Sequence, residues 1–276
     1  MVKEAPMPGI KFVLLATFIV AISSTPKSAR AQSPWWSVRQ VMSGLRENGV
    51  KHETDRATLW FETGMLSPAE MEEFAGLANR GILDIESFLK IEPRENKIRY
   101  YITSQVEISQ AMGGSILLPM QKVMNRTAPY LHETSHILAP CRDCPMWFSE
   151  GLASYIQSYV GEHKGGYDGA VFARHGNAGI DRDTVRWLAR EKGQAVLPFV
   201  GKHGEPPEIA YDRSGVAAPF YVMSQSLIKF IVERAGMEKL ETVLVADDFE
   251  DALLKATGKN PDQWKGEWLA AVTPSK

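Results

Sequence analysis

The sequence predicts an α+β fold, a few short strands followed by a run of helices. Two observations predict it. Between residues 57 and 120, the stretches ATLWFET, KIRYYIT and GGSILLPM carry the β-branched and aromatic residues of strands. From residue 129 onward, apolar residues recur at helical spacing almost to the C-terminus. The bulk numbers agree with a globular chain: 276 residues, 44% hydrophobic and 23% charged, enough apolar material for one sizeable core or a core with a small appended lobe. The formal net charge is −2 and the lysines and arginines are scattered, which excludes the basic footprint of a nucleic-acid binder. Internal repeats and low-complexity tracts are absent.

In chain order, Lys3 and Lys11 precede an eleven-residue apolar run, Phe12 to Ile22. Such a run rises only about 16 Å as a helix, roughly half a bilayer's hydrocarbon core. With the small-x-small triplet Ala29-Arg30-Ala31 after it, residues 1–31 read as an export signal cleaved after Ala31, an uncleaved N-terminal anchor being the alternative. The mature protein is expected in a secreted or periplasmic, extracytoplasmic location. Residues 32–56 form an N-terminal segment, with a short helix from Ser33 ending at Gly49. Ala57 to Thr63 is the first strand. A helix opens at Ser67-Pro68, a capping residue with proline in the first turn, and runs through Leu89, with Gly81 as a candidate kink. Lys97 to Thr103 and Gly113 to Met120 are the next strands. Pro129 starts a helix that Pro140 stops, and a second helix runs from near Pro145 to Gly161. Residues 162–180 read as loop, and from Asp181 the pattern is mostly helical. The expected division is a main domain over 57–205 and a helical C-terminal subdomain over 206–276.

The residues that carry chemistry lie in YLHETSHIL, residues 130–138. On a helix, positions i and i+4 differ by about 40° in azimuth and 6 Å in rise, so His132 and His136 share a face. Two imidazoles at that spacing reach one ion at about 2.0–2.1 Å from nitrogen. Glu133 lies roughly 100° round from His132, near the ion without having to ligate it. A five-residue pattern of this kind also arises by chance, so the reading needs a third ligand. Catalytic zinc takes three protein ligands and leaves a fourth position open. The next helix supplies Glu150, flanked by Trp147, Phe148 and Leu152, a neighbourhood that should be buried. A buried carboxylate wants a cation or a shifted pKa.

HETSH followed by WFSEGLASY resembles the gluzincin metallopeptidases, particularly the small secreted peptidase-MA-like domains. The similarity extends back to the GGSILLP strand and forward to APFYVMSQSLIKFIVERAG, about residues 57–270 in all. It implies a zincin-like fold: a small mixed sheet, an active-site helix pair and a mostly helical C-terminal part. It also implies Zn2+ held by His132, His136 and Glu150. Two features depart from that pattern. Thr134 and Ser135 fill both variable positions of the motif, where their hydroxyls could bond back to the preceding turn. Cys141 and Cys144, the only cysteines, sit in the loop between the two helices. In an oxidising compartment they read as a disulfide steadying the approach of Glu150. A thiolate metal site and a thiol–disulfide redox pair are the rival readings.

The function expected is an exported zinc-dependent metallopeptidase acting on a peptide or protein substrate. Glu133 is the general base toward water. Tyr221 is by resemblance the donor to the oxyanion, against the plainer reading of a core or rim aromatic; Tyr211 and His203 are runners-up. Gly114 to Leu118 is read as an edge strand along which an extended peptide pairs. His52, His163, His175 and His203 read as surface or hydrogen-bonded histidines, and Trp35-Trp36 and Trp60-Phe61 as packing residues. The alternative function is a non-catalytic binding or assembly protein on a zincin scaffold with structural zinc. No nucleic acid and no membrane partner beyond the N-terminal segment is expected.

Overall fold

The structure, a computed structural model, describes residues 34–141, 143–164, 176–204, 206 and 215–273. The expected export signal and Tyr211 and His175 lie outside them. The described elements are α1 (Pro34–Asn48), β1 (Val50–Glu53), β2 (Ala57–Phe61), α2 (Pro68–Leu89), β3 (Ile98–Thr103), β4 (Gln110–Met112), β5 (Ser115–Pro119), α3 (Met120–Met124), α4 (Tyr130–Leu138), α5 (Met146–Lys164), α6 (Gly176–Leu188), α7 (Glu191–Val196), α8 (Ala217–Ala235), α9 (Met237–Leu244), α10 (Phe249–Thr257) and α11 (Pro261–Val272). The α+β architecture expected from the sequence is what the chain adopts. None of the described helices is long and apolar enough to cross a membrane.

The five strands form one mixed sheet in the order β1-β2-β3-β5-β4. β2, β3 and β5 are parallel, with α2 as the crossover between β2 and β3; β1 and β4 close the edges antiparallel. Period-two alternation assigns the faces. Leu59, Phe61, Tyr100, Ile102, Ile116 and Leu118 join the main core under the helices. Trp60, Tyr101 and Leu117 point the other way, where Val38, Met42 and Leu45 of α1 cover them and Trp60 stacks on Tyr101 at 4.9 Å. The main apolar cluster is continuous from β2 through α4, α5 and α8 to Trp268 and Val272 of α11.

Two expectations change. The segment Gly114 to Leu118 is interior: β5 pairs with β3 on one side and β4 on the other, so β4 is the edge. Met112 pairs with Ser115 across Gly113 and Gly114, whose φ of 52° and 75° mark a two-residue hairpin turn that glycine enters without strain. Helix α6 begins at Gly176, so the last five residues of what reads as loop are helical, and α5 continues past Gly161 to Lys164. Gly81 does not interrupt α2. A Cβ there would lie 2.6 Å from Leu131 Cδ2 and 2.9 Å from Tyr130 Cε2, so the glycine lets α4 pack closely on α2.

Candidate metal centre

Helix α4 is held in place from three sides. Beneath it, the Tyr100 hydroxyl of the central strand β3 meets Thr134 Oγ1 at 2.6 Å, both fully buried. Thr134 in turn donates to the Tyr130 carbonyl at 2.6 Å, and Ser135 to the Leu131 carbonyl at 2.8 Å. The two hydroxyls of the motif thus bond back along the helix as the sequence allows. At the C-terminal end, where helix carbonyls lack partners, Ile137 O accepts from Arg94 Nη1 at 2.8 Å. The third side is α5, linked through the loop that contains the Cys141–Cys144 disulfide, with Cα atoms 5.4 Å apart.

Against that scaffold three side chains converge. His132 Nε2 lies 3.0 Å from Glu150 Oε2 and 3.1 Å from His136 Nε2, and His136 Nε2 lies 3.4 Å from Glu150 Oε2. These are the edges that ligand atoms make around a tetrahedral zinc: with metal–ligand distances of about 2.0–2.1 Å, neighbouring ligands sit about 3.3 Å apart. Among the described residues these are the one group of three His, Cys, Asp or Glu side chains whose ligand atoms gather in this way. Two imidazoles and a carboxylate are a donor set zinc accepts, so the residues present fit the ion. The cysteines are joined to each other, which disposes of a thiolate site.

The electrostatics follow from burial. Glu133 is buried beside the cluster. Loss of solvent pushes its carboxyl above the ordinary value, reinforced by Glu150 and opposed by His132, His136 and, more weakly, Lys122 of α3. For Glu150, burial also acts upward, yet His136 and His132 outweigh it and hold the carboxyl far below its usual range. At His136, burial would favour the neutral ring, but Glu150 and Glu133 together keep the imidazole above its ordinary value. Negative and positive groups are therefore stabilised by each other, an arrangement in which a divalent cation replaces protons.

Tyr221 stands on α8, its ring 6.0 Å from that of His132. The close crossing of α8 on α5 brings it there: Gly151, directly after Glu150, leaves room for the Ser224 carbonyl. His203 pairs with Glu250 at 3.8 Å and lies edge-on to Phe249. His52 lies near Glu72 and edge-on to Phe61. Sequence reading missed Lys122, and it missed Ser149 and Ser154, which meet the outer nitrogens of the two imidazoles. Ser154, four residues after Glu150, shares its helix face, but Ser149, directly before Glu150, does not, and neither serine has a role until the partner helix is in place.

No protein-family model matches the chain, and no curated protein does. Solved structures are similar in fold. One is an M1 zinc metallopeptidase mutant from Deinococcus radiodurans bound to a Tyr-Ser-Ala substrate, with TM-score 0.50 and 15% identity over 82% of this chain and 52% of that chain. Another is a two-domain M1 zinc metallopeptidase mutant bound to L-arginine, with TM-score 0.51 and 14% identity over 80% of this chain and 51% of that one. The fold is zincin-like. The chain spans about half the length of these structures.

Proposed function

We propose that this chain is an exported zinc-dependent peptidase that hydrolyses peptide bonds. The observation that carries the reading is the convergence of His132, His136 and Glu150 at tetrahedral edge distances beside a buried Glu133. The zincin-like fold supports it, and the similar structures are of zinc metallopeptidases, one with a Tyr-Ser-Ala substrate bound. The disulfide suits the oxidising compartment implied by the N-terminal segment.

His132, His136 and Glu150 are the proposed zinc ligands. When bound, zinc supplies a Lewis acid that polarises the scissile carbonyl and acidifies water. Glu133 is the general base: buried beside the three ligands, it is placed to take a proton from the attacking water and pass it to the departing amine. Tyr221 is the proposed hydroxyl donor to the oxyanion, from its place on the flank of His132. The outer side of β4 is the proposed docking edge for an extended substrate, since among the described residues β4 lies outermost in the sheet.

Replacing Glu133 by glutamine keeps size and shape and removes the proton acceptor. The variant is expected to retain zinc and lose chelator-sensitive hydrolysis of a peptide library by about 100-fold or more. A Glu133→Gln chain that cleaves at the wild-type rate would remove the general-base assignment. Zinc bound by a wild-type chain that cleaves nothing would favour the non-catalytic scaffold instead.

A further inference from the structure

A zinc-ligating imidazole must be neutral, with its lone pair on the nitrogen that faces the ion. His132 and His136 both turn Nε2 inward, so with zinc bound each would carry its proton on Nδ1. His132 is 8% exposed, and a buried N–H needs an acceptor. The structure supplies one for each ring. Ser154 Oγ stands 3.4 Å from His132 Nδ1, and Ser149 Oγ stands 3.4 Å from His136 Nδ1. Both serines belong to α5, the helix that also presents Glu150.

We propose that Ser149 and Ser154 are positioning residues for the metal centre, their hydroxyls accepting the Nδ1–H of His136 and His132 and fixing each ring with Nε2 toward the ion. This rests on the metal-site reading above. It makes α5 the assembling element: one docked helix delivers a ligand and the acceptors that orient the other two.

The test is zinc affinity of the full-length chain, measured by competition with a chromogenic chelator. Ser149→Ala and Ser154→Ala are each expected to lower affinity by about 10- to 100-fold, the usual effect of losing an outer partner of a ligating histidine. The metal-free melting temperature should stay near wild type. Ser149→Thr, which keeps the hydroxyl, should restore most of the affinity. A second readout needs no variant: histidine nitrogen NMR of the zinc-bound wild type should show both rings protonated at Nδ1. Affinities within twofold of wild type for both alanine variants, or an Nε2-protonated ring, would overturn the inference. A wild-type chain that takes up no zinc would overturn the metal-site reading beneath it, a different failure.

Discussion

Gly151→Ala is the substitution whose outcome depends most on how the helices cross. An exposed helix glycine changed to alanine gains about 0.5–1 kcal/mol, because alanine loses less backbone freedom on folding. Propensity alone therefore predicts a more stable protein. The packing predicts the reverse. A Cβ at position 151 would lie 2.7 Å from the carbonyl oxygen and 2.8 Å from the carbonyl carbon of Ser224, and 2.9 Å from Ile228 Cγ1. The closest approach is roughly 0.7 Å inside the 3.4 Å at which ordinary contact begins. Two of the three obstacles are backbone atoms of α8, which no rotamer change moves aside. Overpacking of this kind costs about 1–3 kcal/mol, and a clash against backbone belongs near the top of that range. The net loss is about 2 kcal/mol, which for a chain of this size lowers the melting temperature by roughly 4–8 °C. Because relief requires α8 to retreat, and α8 carries Tyr221, hydrolysis should fall together with stability. Differential scanning calorimetry on the metal-free variant checks the sign. A melting temperature equal to or above wild type would refute the close α5–α8 crossing.

Other expectations rest on single groups. Thr134→Val keeps the shape of the side chain and strands the Tyr100 hydroxyl, which is buried with Thr134 as its partner; chemical denaturation should show a loss of about 1–3 kcal/mol. Glu133→Gln should stabilise the metal-free protein near neutral pH. The folded-state pKa of Glu133 is raised, chiefly by burial, so its favourable contribution is present at acid pH and is lost as pH rises through that folded value. Denaturation curves from pH 4 to 8 should therefore diverge, with the glutamine variant gaining on wild type as pH increases; parallel curves would contradict the burial argument. Glu150 carries the opposite sign. Its depressed carboxyl contributes stability above the ordinary carboxylate range and loses it as pH falls, so Glu150→Gln should flatten the acid limb of the metal-free protein.

What could be read from the sequence was what periodicity and local chemistry fix. The shared face of His132 and His136 follows from helix geometry alone, and the apolar flanks of Glu150 foretold its partial burial. The interior strands β2, β3 and β5 announced themselves through apolar and aromatic runs. The edges did not. β1 is Val-Lys-His-Glu, half exposed along its length, and β4 is three residues whose pairing, not their composition, makes them a strand. The two-glycine turn between β4 and β5 was visible, but without the partner strand it read as an entry loop and left β5 misplaced at the edge. Likewise Gly81 and Gly151 look like weak points in helical patterns, and both are contact points where a second helix approaches. Such tertiary reasons for glycine have no local signature. The serines behind the imidazoles were hidden because serine on a helix is common and only the partner's position gives it a role.

Zinc K-edge X-ray absorption on the purified full-length chain bears most directly on the central claim. The account predicts one zinc per chain with a shell of nitrogen and oxygen ligands at about 2.0–2.1 Å and none of sulfur, lost when Glu150 or His136 is replaced by alanine. A sulfur shell near 2.3 Å, or a wild-type chain without bound zinc, would contradict it.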